Sequence, residues 1–356
     1  MDEPRDAVQA ASHPDPYPWY AQLPPIAFDP GLRLWVVARA ALVREALLHP
    51  ALQVRPPAEP VPAALQGRPT GEVFARLVRM NDGAFHARHR PAVAAAAQRW
   101  QDAEVAAAAH AAAADLVGRL AGDALLTAVP VQATARLLGV PLPALDATVA
   151  RVHAFAGGIV AGASAAALDA ADAAVVALVA QGEAQGLAAV AAANRIALMQ
   201  QSLDATAGLI GTTVRLDPAA VSFEALQAFV AEVARWDAPV QNTRRFAAQP
   251  LLLGGQAIAA GDGLLLLLGA ANRDLELNPQ PDRFDAARPD RRSLTFGAGA
   301  HACPGERIAI VIATAALHPL RQQGPLSQSF GTACGWRPLP NARIPVFSIA
   351  QGAAAW

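Results

Sequence analysis

The residues between about 72 and 200 are very rich in alanine, and this stretch constrains the possible fold more than any other. Alanine is the best helix former, but its small side chain buries little surface, so helices built from it pack closely. The chain has 356 residues, 54% of them hydrophobic and 16% charged. That composition excludes a disordered tail and provides a core for one large domain or two ordinary ones. We therefore expect a mainly helical body.

The flanking segments add small sheets to this body. A strand is predicted at Leu34–Val37, a helix at Ala40–Leu48 and a long loop in the proline-rich residues 55–70. Further helices are predicted at 187–213, 222–236 and 305–317, short strands at Leu251–Leu253, Gln256–Ile258 and 264–268, and an irregular meander at 279–289. We interpret residues 1–356 as one domain, mainly α with small β-sheets.

Charge, cysteine content and hydropathy exclude several classes of protein. The net charge of -1 provides no general positive field for nucleic acid or anionic lipid, and 2 cysteines do not make a disulfide scaffold. The most apolar run, 264–271, is too short to cross a bilayer. The charged start around Asp2 is not followed by an apolar segment, so we expect no signal peptide and a cytoplasmic protein.

The segment 296–305, Phe-Gly-Ala-Gly-Ala-His-Ala-Cys-Pro-Gly, carries the chemistry. Two glycines allow a tight turn, and Pro304 suits the first turn of the helix that follows. Cys303 then lies at a helix N-terminus, whose unpaired amides and positive dipole end favour a thiolate. A lone thiolate held by a rigid loop suits an axial metal ligand. For an isolated cysteine near glycine, however, a buried structural thiol would be the more common interpretation.

The whole ten-residue pattern resembles the haem-binding loop of the cytochrome P450 family, Phe-Gly-x-Gly-x-His/Arg-x-Cys-x-Gly. The resemblance implies the cytochrome P450 fold, with haem b between a long central helix and the helix after the cysteine. It also implies a haem-thiolate monooxygenase, bacterial and shorter than most members. Cys303 would be the iron ligand, with Phe296, Gly297, His301 and Gly305 shaping or lining the haem site.

Other segments extend the resemblance. Glu232 and Arg235 match the Glu-x-x-Arg pair of the family, whose structural third member would be Arg283. His86 and Arg90 match its His-x-x-x-Arg helix. Together with His301, and with Arg245 or the adjacent Arg244, they would bind the haem propionates, because a dianionic cofactor in an apolar pocket needs cations.

The long central helix departs from the family pattern. Its usual acid–alcohol pair near bound dioxygen aligns with Asp204 and Ala205, and Thr206 follows one residue later, about 100 degrees around the helix. Three interpretations remain open: the substrate provides the hydroxyl, Ser202 one turn earlier takes part, or the enzyme performs desaturation, coupling or peroxide-driven chemistry. We favour a substrate-assisted or altered proton relay, with Asp204, Thr206 and Ser202 as its candidate residues.

The resemblance also suggests a pocket and partners. Leu203, Val240, Gln241, Asn242 and Thr243 are candidate pocket residues for a small or medium, largely apolar metabolite of bacterial secondary metabolism. A ferredoxin and its reductase would deliver electrons, docking on a basic face formed by the arginines Arg88, Arg291, Arg292 and Arg307. Two alternatives are a peroxygenase and a non-catalytic haem-binding sensor. No membrane or nucleic acid partner is expected.

Overall fold

The computed structural model describes residues 3–219 and 222–348, and its architecture is mainly helical. Met1 and Asp2, on which the expectation about a signal peptide partly rests, lie outside the described residues. The helices of the described residues are α1 Tyr17–Gln22, α2 Ala40–Leu48, α3 Pro69–Ala75, α4 Gly83–Gln98, α5 Asp102–Leu116, α6 Gly122–Leu137, α7 Leu145–Gly158, α8 Ala165–Glu183, α9 Ala189–Leu216, α10 Phe223–Trp236, α11 Leu268–Asn272, α12 Glu306–Gln323 and α13 Ser327–Phe330.

Nine strands in the described residues form three small sheets. They are β1 Ile26–Asp29, β2 Leu34–Val37, β3 Leu52–Gln53, β4 Asn242–Ala247, β5 Leu251–Leu253, β6 Gln256–Ile258, β7 Gly263–Leu267, β8 Thr332–Trp336 and β9 Pro345–Ser348. The largest sheet has the order β1-β2-β7-β4-β3, in which only β2 and β7 run parallel. The pairs β5-β6 and β8-β9 are separate antiparallel hairpins. Strands distant in sequence thus meet beside the helical body.

Most of the predicted elements are confirmed. The strand at Leu34–Val37 and the helix at Ala40–Leu48 have the predicted bounds, and residues 55–70 form a loop with one short 3-10 turn that leads into α3. The long helix ends where Asp217 adopts a left-handed conformation before Pro218, as the sequence indicated. The last long helix was predicted too short, since α12 continues past Pro319 to Gln323.

The 28-residue helix α9 organises the molecule. One apolar cluster joins its C-terminal half to α6, α10, α12 and the β8-β9 hairpin, and a second joins its N-terminal half to α6, α7 and α8. Glycines permit the closest approach: a Cβ on Gly208 would lie 2.5 Å from the carbonyl oxygen of Arg343. The middle of α9 faces a cavity between these two clusters.

One described helix, α8, is long and apolar enough to cross a membrane by length and composition alone. Residues 264–271, the run considered from the sequence, form β7 and most of α11, and the length and hydropathy of α8 were missed there. In the structure α8 packs against α7 and α9, and a core helix of a globular protein passes the same test. The finding is therefore weak support for a membrane span.

Candidate active site

The cysteine loop folds as a tight turn that enters α12. Gly297 and Gly299 both have a φ of +70°, and the N–H of Cys303 donates to the carbonyl of Phe296 at 2.7 Å. A side chain on Gly299 would also meet Leu48 of α2 at 2.8 Å, so glycine is needed there twice over. The N–H of Gly305 donates to the sulfur of Cys303 at 3.3 Å. The loop therefore fixes the position of the sulfur atom.

Cys303 is exposed to the cavity but lies deep within the protein. Burial raises the pKa of its thiol and neighbouring Glu306 adds to this, whereas the Gly305 N–H and Arg90 lower it less. The amide at the helix N-terminus lowers the pKa of this thiol, as predicted, but desolvation outweighs that contact. A bound metal ion would supply the missing stabilisation, since a coordinating thiol loses its proton.

Four basic side chains lie around one side of the same cavity: His86 and Arg90 from α4, Arg245 from β4, and His301 from the cysteine loop. The rings of His86 and His301 are 4.2 Å apart, and Arg90 donates to the carbonyl of Ala302. Burial, and then the charges of His301 and Arg90, lower the pKa of His86. The cluster thus holds more positive charge than its surroundings balance. The side chain of Arg244 is exposed, so β4 directs only Arg245 into this cavity.

Asp82 is the acid of this cluster, and the sequence analysis gave it no role. Its carboxylate pairs with the ring of His301 at 2.9 Å and accepts the N–H of Val54. Burial alone would raise the pKa of Asp82, but the hydrogen bonds from His301 and Val54 lower it on balance. One carboxylate does not balance the charge of two arginines and two histidines, so the cluster can bind a further anion.

The cavity itself has a volume of about 410 Å³. The cysteine loop and the first turn of α12 form one side, and α9 contributes Asp204, Ala205 and Thr206. Apolar side chains such as Leu209, Leu268 and Ile312 complete much of the wall. The cysteine sulfur, the cationic cluster and an apolar wall therefore line one cavity.

Glu232 and Arg235 form a buried ion pair in α10, away from the cavity. Both side chains are fully buried and their closest atoms are 2.7 Å apart. Arg235 also donates to the carbonyls of Pro281 and Arg283 in the meander. The pair therefore fastens the meander to α10, and neither residue lines the cavity.

The comparisons with known proteins agree on one family. A family model described as "Cytochrome P450" matches residues 221–322. 6-deoxyerythronolide B hydroxylase of Saccharopolyspora erythraea is 42% identical over 107 residues, which are 30% of this chain and 25% of that protein. Linalool 8-monooxygenase of Pseudomonas putida is 41% identical over 86 residues, 24% of this chain and 21% of that protein. The chain thus aligns with only about a quarter of the length of these relatives.

Solved structures extend the likeness to the whole fold. That of CalO2 superposes with a TM-score of 0.78 and 21% identity over 98% of both chains. That of RauA superposes with a TM-score of 0.76 and 22% identity over 96% of both chains. The chain has the cytochrome P450 fold, and its residues 221–322 match the model of that family. Haem b is the cofactor of this family, and the residues present fit it: a sulfur atom fixed by its loop, and an excess of cations suited to two propionates.

The segment of α9 that was predicted to relay protons, residues 202–206, faces the cavity, but its hydroxyl groups are not equally free to donate a proton. Asp204, Thr206 and Ser202 all line the cavity beside Ala205. The hydroxyl of Ser202 donates to the carbonyl of Met199 at 2.7 Å, so its proton is already engaged. Burial raises the pKa of Asp204, while Arg337 and His153 oppose that rise. Asp204 is therefore held towards its protonated form.

Three of the predicted pocket residues do not reach the cavity. Val240 and Thr243 line it, but Leu203 points into the α6–α8 core. Gln241 is fully buried and hydrogen bonds to Tyr17 and the carbonyl of Ala238. Asn242 donates to the carbonyl of Pro340. The predictions for Leu203, Gln241 and Asn242 are wrong because helix rotation and strand alternation turn these side chains away.

The prediction for Arg283 is also wrong. Its side chain is 66% exposed and contacts Asp285 and Gln280, and only its backbone carbonyl contacts Arg235. Arg288 and Arg291 instead place their guanidinium groups on Glu232, at 3.4 and 3.1 Å. The turn before Asp285 directs the Arg283 side chain to solvent, and the later arginines return to α10.

The predicted basic face is smaller than expected. Arg88 and Arg292 are exposed. Arg307 pairs with Asp102 and donates to the carbonyl of Trp100, and Arg291 is committed to Glu232. Only two of the four arginines therefore present an uncommitted charge to solvent.

Sequence reasoning missed a fifth basic residue at the cavity, Arg79, and its neighbour Gln200. Arg79 lies in the 3-10 turn Val78–Met80, just before α4, and donates to the side-chain oxygen of Gln200 at 3.0 Å. No pattern in the sequence singled out either residue. The single available signal was a charged side chain between apolar Val78 and Met80.

Proposed function

We propose that this chain is a haem-thiolate monooxygenase that activates dioxygen to oxidise a small or medium metabolite in bacterial secondary metabolism. The observation that carries the proposal is the shared cavity, in which the Cys303 sulfur and the relay segment of α9 face one chamber. The hydroxylase and monooxygenase among the relatives support the reaction class. We place the catalytic unit in residues 1–356 as one domain, in the cytoplasm.

The residues divide into a cofactor set and a reaction set. Cys303 is the proposed iron ligand, and His86, Arg90, Arg245 and His301 are the proposed propionate partners. When bound, haem with a thiolate ligand supplies the electronic activation of dioxygen. The chain itself orients this group through the cation cluster and, with the apolar wall, excludes water from the reacting centre.

The proton relay proposed here is an altered one. Ala205 provides no hydroxyl, so the neighbouring groups Asp204 and Thr206 are the proposed proton donors to the distal side of the cavity. Ser202 acts in this scheme as an acceptor, because its own proton is donated to Met199. Since burial raises the pKa of Asp204, this carboxyl group can hold a proton to deliver.

The electron donors are proposed to be a ferredoxin and its reductase, docking at Arg88 and Arg292. The peroxygenase alternative is favoured by one observation, the absence of a hydroxyl at Ala205. Desaturation or coupling would use the same cavity. A non-catalytic sensor has the same single support, and turnover separates it from the enzymes.

The deciding experiment compares haem-loaded wild-type protein with Cys303→Ser. We expect the wild type to show the red-shifted carbon monoxide band that marks thiolate ligation, and Cys303→Ser to lose it, because a serine hydroxyl is a much poorer donor to iron. Cys334→Ser, which changes the second exposed cysteine in the β8-β9 hairpin, is the matched control.

Turnover is then followed with ferredoxin, reductase and dioxygen, and separately with hydrogen peroxide alone. Product formation that requires the redox partners supports the monooxygenase, and product formed only with peroxide assigns the peroxygenase. A thiolate band that survives in Cys303→Ser would contradict the ligand assignment.

A further inference from the structure

Arg79 presents an unmatched positive charge to the active-site cavity. Its guanidinium donates to the side-chain oxygen of Gln200 at 3.0 Å and to the sulfur of Met80 at 3.1 Å, and its Nε has no partner. Both partners are uncharged. A guanidinium carries five N–H donors, so most of the hydrogen-bonding capacity of Arg79 remains unused.

No carboxylate of the described residues forms an ion pair with Arg79. Of the acids near the cavity, Asp82 is engaged by His301 and Val54, and Asp204 interacts with Arg337 and His153. Burial is the single cause that lowers the pKa of Arg79, to about 10. A desolvated cation without a counter-ion is costly, and a carboxylate is the group that relieves that cost best.

Arg79 is also separate from the cation cluster proposed for the propionates. Arg90 donates to Ala302 in the cysteine loop, and Arg245 is anchored on its own strand at Thr243 and Arg244. Arg79 instead contacts α9 through Gln200. Its charge is therefore directed towards the substrate side of the chamber.

The position of Gln200 on α9 sets the distance to the reacting region. Gln200 precedes Asp204 by one turn, and it precedes Ala205 by roughly 7.5 Å along the helix axis. Apolar residues of the wall, among them Leu198, Leu209 and Val240, occupy the same chamber. The chamber thus offers a charged end and an apolar body, which is the complement of an amphipathic acid.

We propose that Arg79, oriented by Gln200, binds the carboxylate of the substrate, and that the substrate is therefore an organic acid with an apolar body. This inference rests on the proposed function, because it names the substrate class of the same cavity. The planar guanidinium suits a two-point contact with a carboxylate. The carbons of the substrate near Ala205 and Cys303 are then remote from its acid group.

The test is an optical titration of haem-loaded protein with matched probes: decanoate, decanol and methyl decanoate, with hexanoate and hexadecanoate to vary the length. We expect decanoate to bind more tightly than decanol or the ester. Arg79→Gln should weaken decanoate binding about ten- to a hundred-fold and leave decanol unchanged, as expected for loss of a hydrogen bond to a charged group. Arg79→Lys should retain part of the preference.

Two controls separate binding from folding. Arg44→Gln changes an exposed arginine of α2 and should leave every affinity unchanged. Without ligand, Arg79→Gln should melt at the same or a higher temperature than wild type, since it removes a desolvated charge. A structural arginine would give a lower melting temperature. Gln200→Leu is the second variant, and it should weaken decanoate binding less than Arg79→Gln.

Equal binding of acid and alcohol, an acid preference that survives in Arg79→Gln, or no binding of any of the three acids would each overturn the inference. Failure of the proposed function has a different signature. If the thiolate band is absent, the haem-thiolate assignment fails, whereas calorimetric titration of the same protein with decanoate still reports on Arg79.

Discussion

At the scale of single residues, the positions of the side chains around the cavity depend on the ion pairs and hydrogen bonds of buried charged groups. Asp82 shows the principle most clearly, because one carboxylate orients His301 and also ties the N–H of Val54 to the start of α4. The same side chain thus links the loop before α4 to the cysteine loop. Its hydrogen bonds lower the pKa of Asp82 in spite of burial. The free energy of unfolding therefore depends on the protonation of this carboxyl group, and so on pH.

We expect Asp82→Asn to lower the free energy of unfolding by about 1–3 kcal/mol at neutral pH, the cost of weakening hydrogen bonds to a charged group. A carboxyl with a lowered pKa in the folded state contributes stability above its ordinary value, near about 4, and loses it as the pH falls through the folded value. The difference between wild type and Asp82→Asn should therefore shrink in acid.

Urea unfolding across a pH series measures this difference. Asp290→Asn, which changes an exposed carboxylate directly after the meander, serves as the control and should show little effect at any pH. A constant difference between wild type and Asp82→Asn down to strongly acidic pH would contradict the assigned role.

At the scale of elements, α10 holds the meander through one buried carboxylate. The carboxylate of Glu232 forms ion pairs with Arg235, Arg288 and Arg291. It also accepts a hydrogen bond from the backbone N–H of Asp285. Burial alone would raise the pKa of Glu232, but these hydrogen bonds and charges lower it. Removing the carboxylate would leave buried guanidinium groups without a counter-ion. An uncompensated buried charge of this kind strongly destabilises the folded state.

Three variants distinguish the contributions in this network. Glu232→Gln should lower the free energy of unfolding by about 3–5 kcal/mol. Arg291→Ala should lower it by roughly 1–3 kcal/mol. Arg283→Ala should change it by less than about 0.5 kcal/mol, because the exposed side chain lies outside the network. Chemical denaturation of all three measures the order, and an Arg283→Ala effect equal to that of Arg291→Ala would restore the family expectation.

At the scale of the whole molecule, close packing against α9 joins the helical body to the C-terminal strands. Gly208 lies against the backbone of Arg343 and the ring of Pro239, and Gly211 lies against Pro345 of β9. There is no space for a methyl group at either position. The cavity depends on this contact, because α9 forms the wall opposite the cysteine loop.

Gly208→Ala should therefore lower the melting temperature, with a cost of roughly 1–3 kcal/mol for overpacking. Gly157→Ala is the matched control: this glycine lies in α7 with open space where the new Cβ would be, so alanine should stabilise it by about 0.5–1 kcal/mol. Thermal unfolding of both variants measures whether the melting temperature falls for Gly208→Ala and rises for Gly157→Ala. A Gly208→Ala protein as stable as wild type would show that α9 and the C-terminal strands can separate without cost.

The sequence by itself determined the features that depend on local pattern. Helix and strand positions such as Ala40–Leu48 follow from periodicity and turn residues, and the cysteine loop follows from ten consecutive positions. These features are set by neighbours along the chain, so one sequence is sufficient to predict them. The expectation that Arg245 and residues 202–206 of α9 face the cavity came instead from the family resemblance.

Only the tertiary structure decided which side chains meet across long distances in sequence. It assigned Glu232 to Arg291 instead of Arg283, buried Gln241 away from the pocket and brought Arg79 to Gln200. It also showed that desolvation outweighs the helix N-terminus at Cys303. Burial and ion pairing depend on the packing of the entire chain, and no local pattern contains that information.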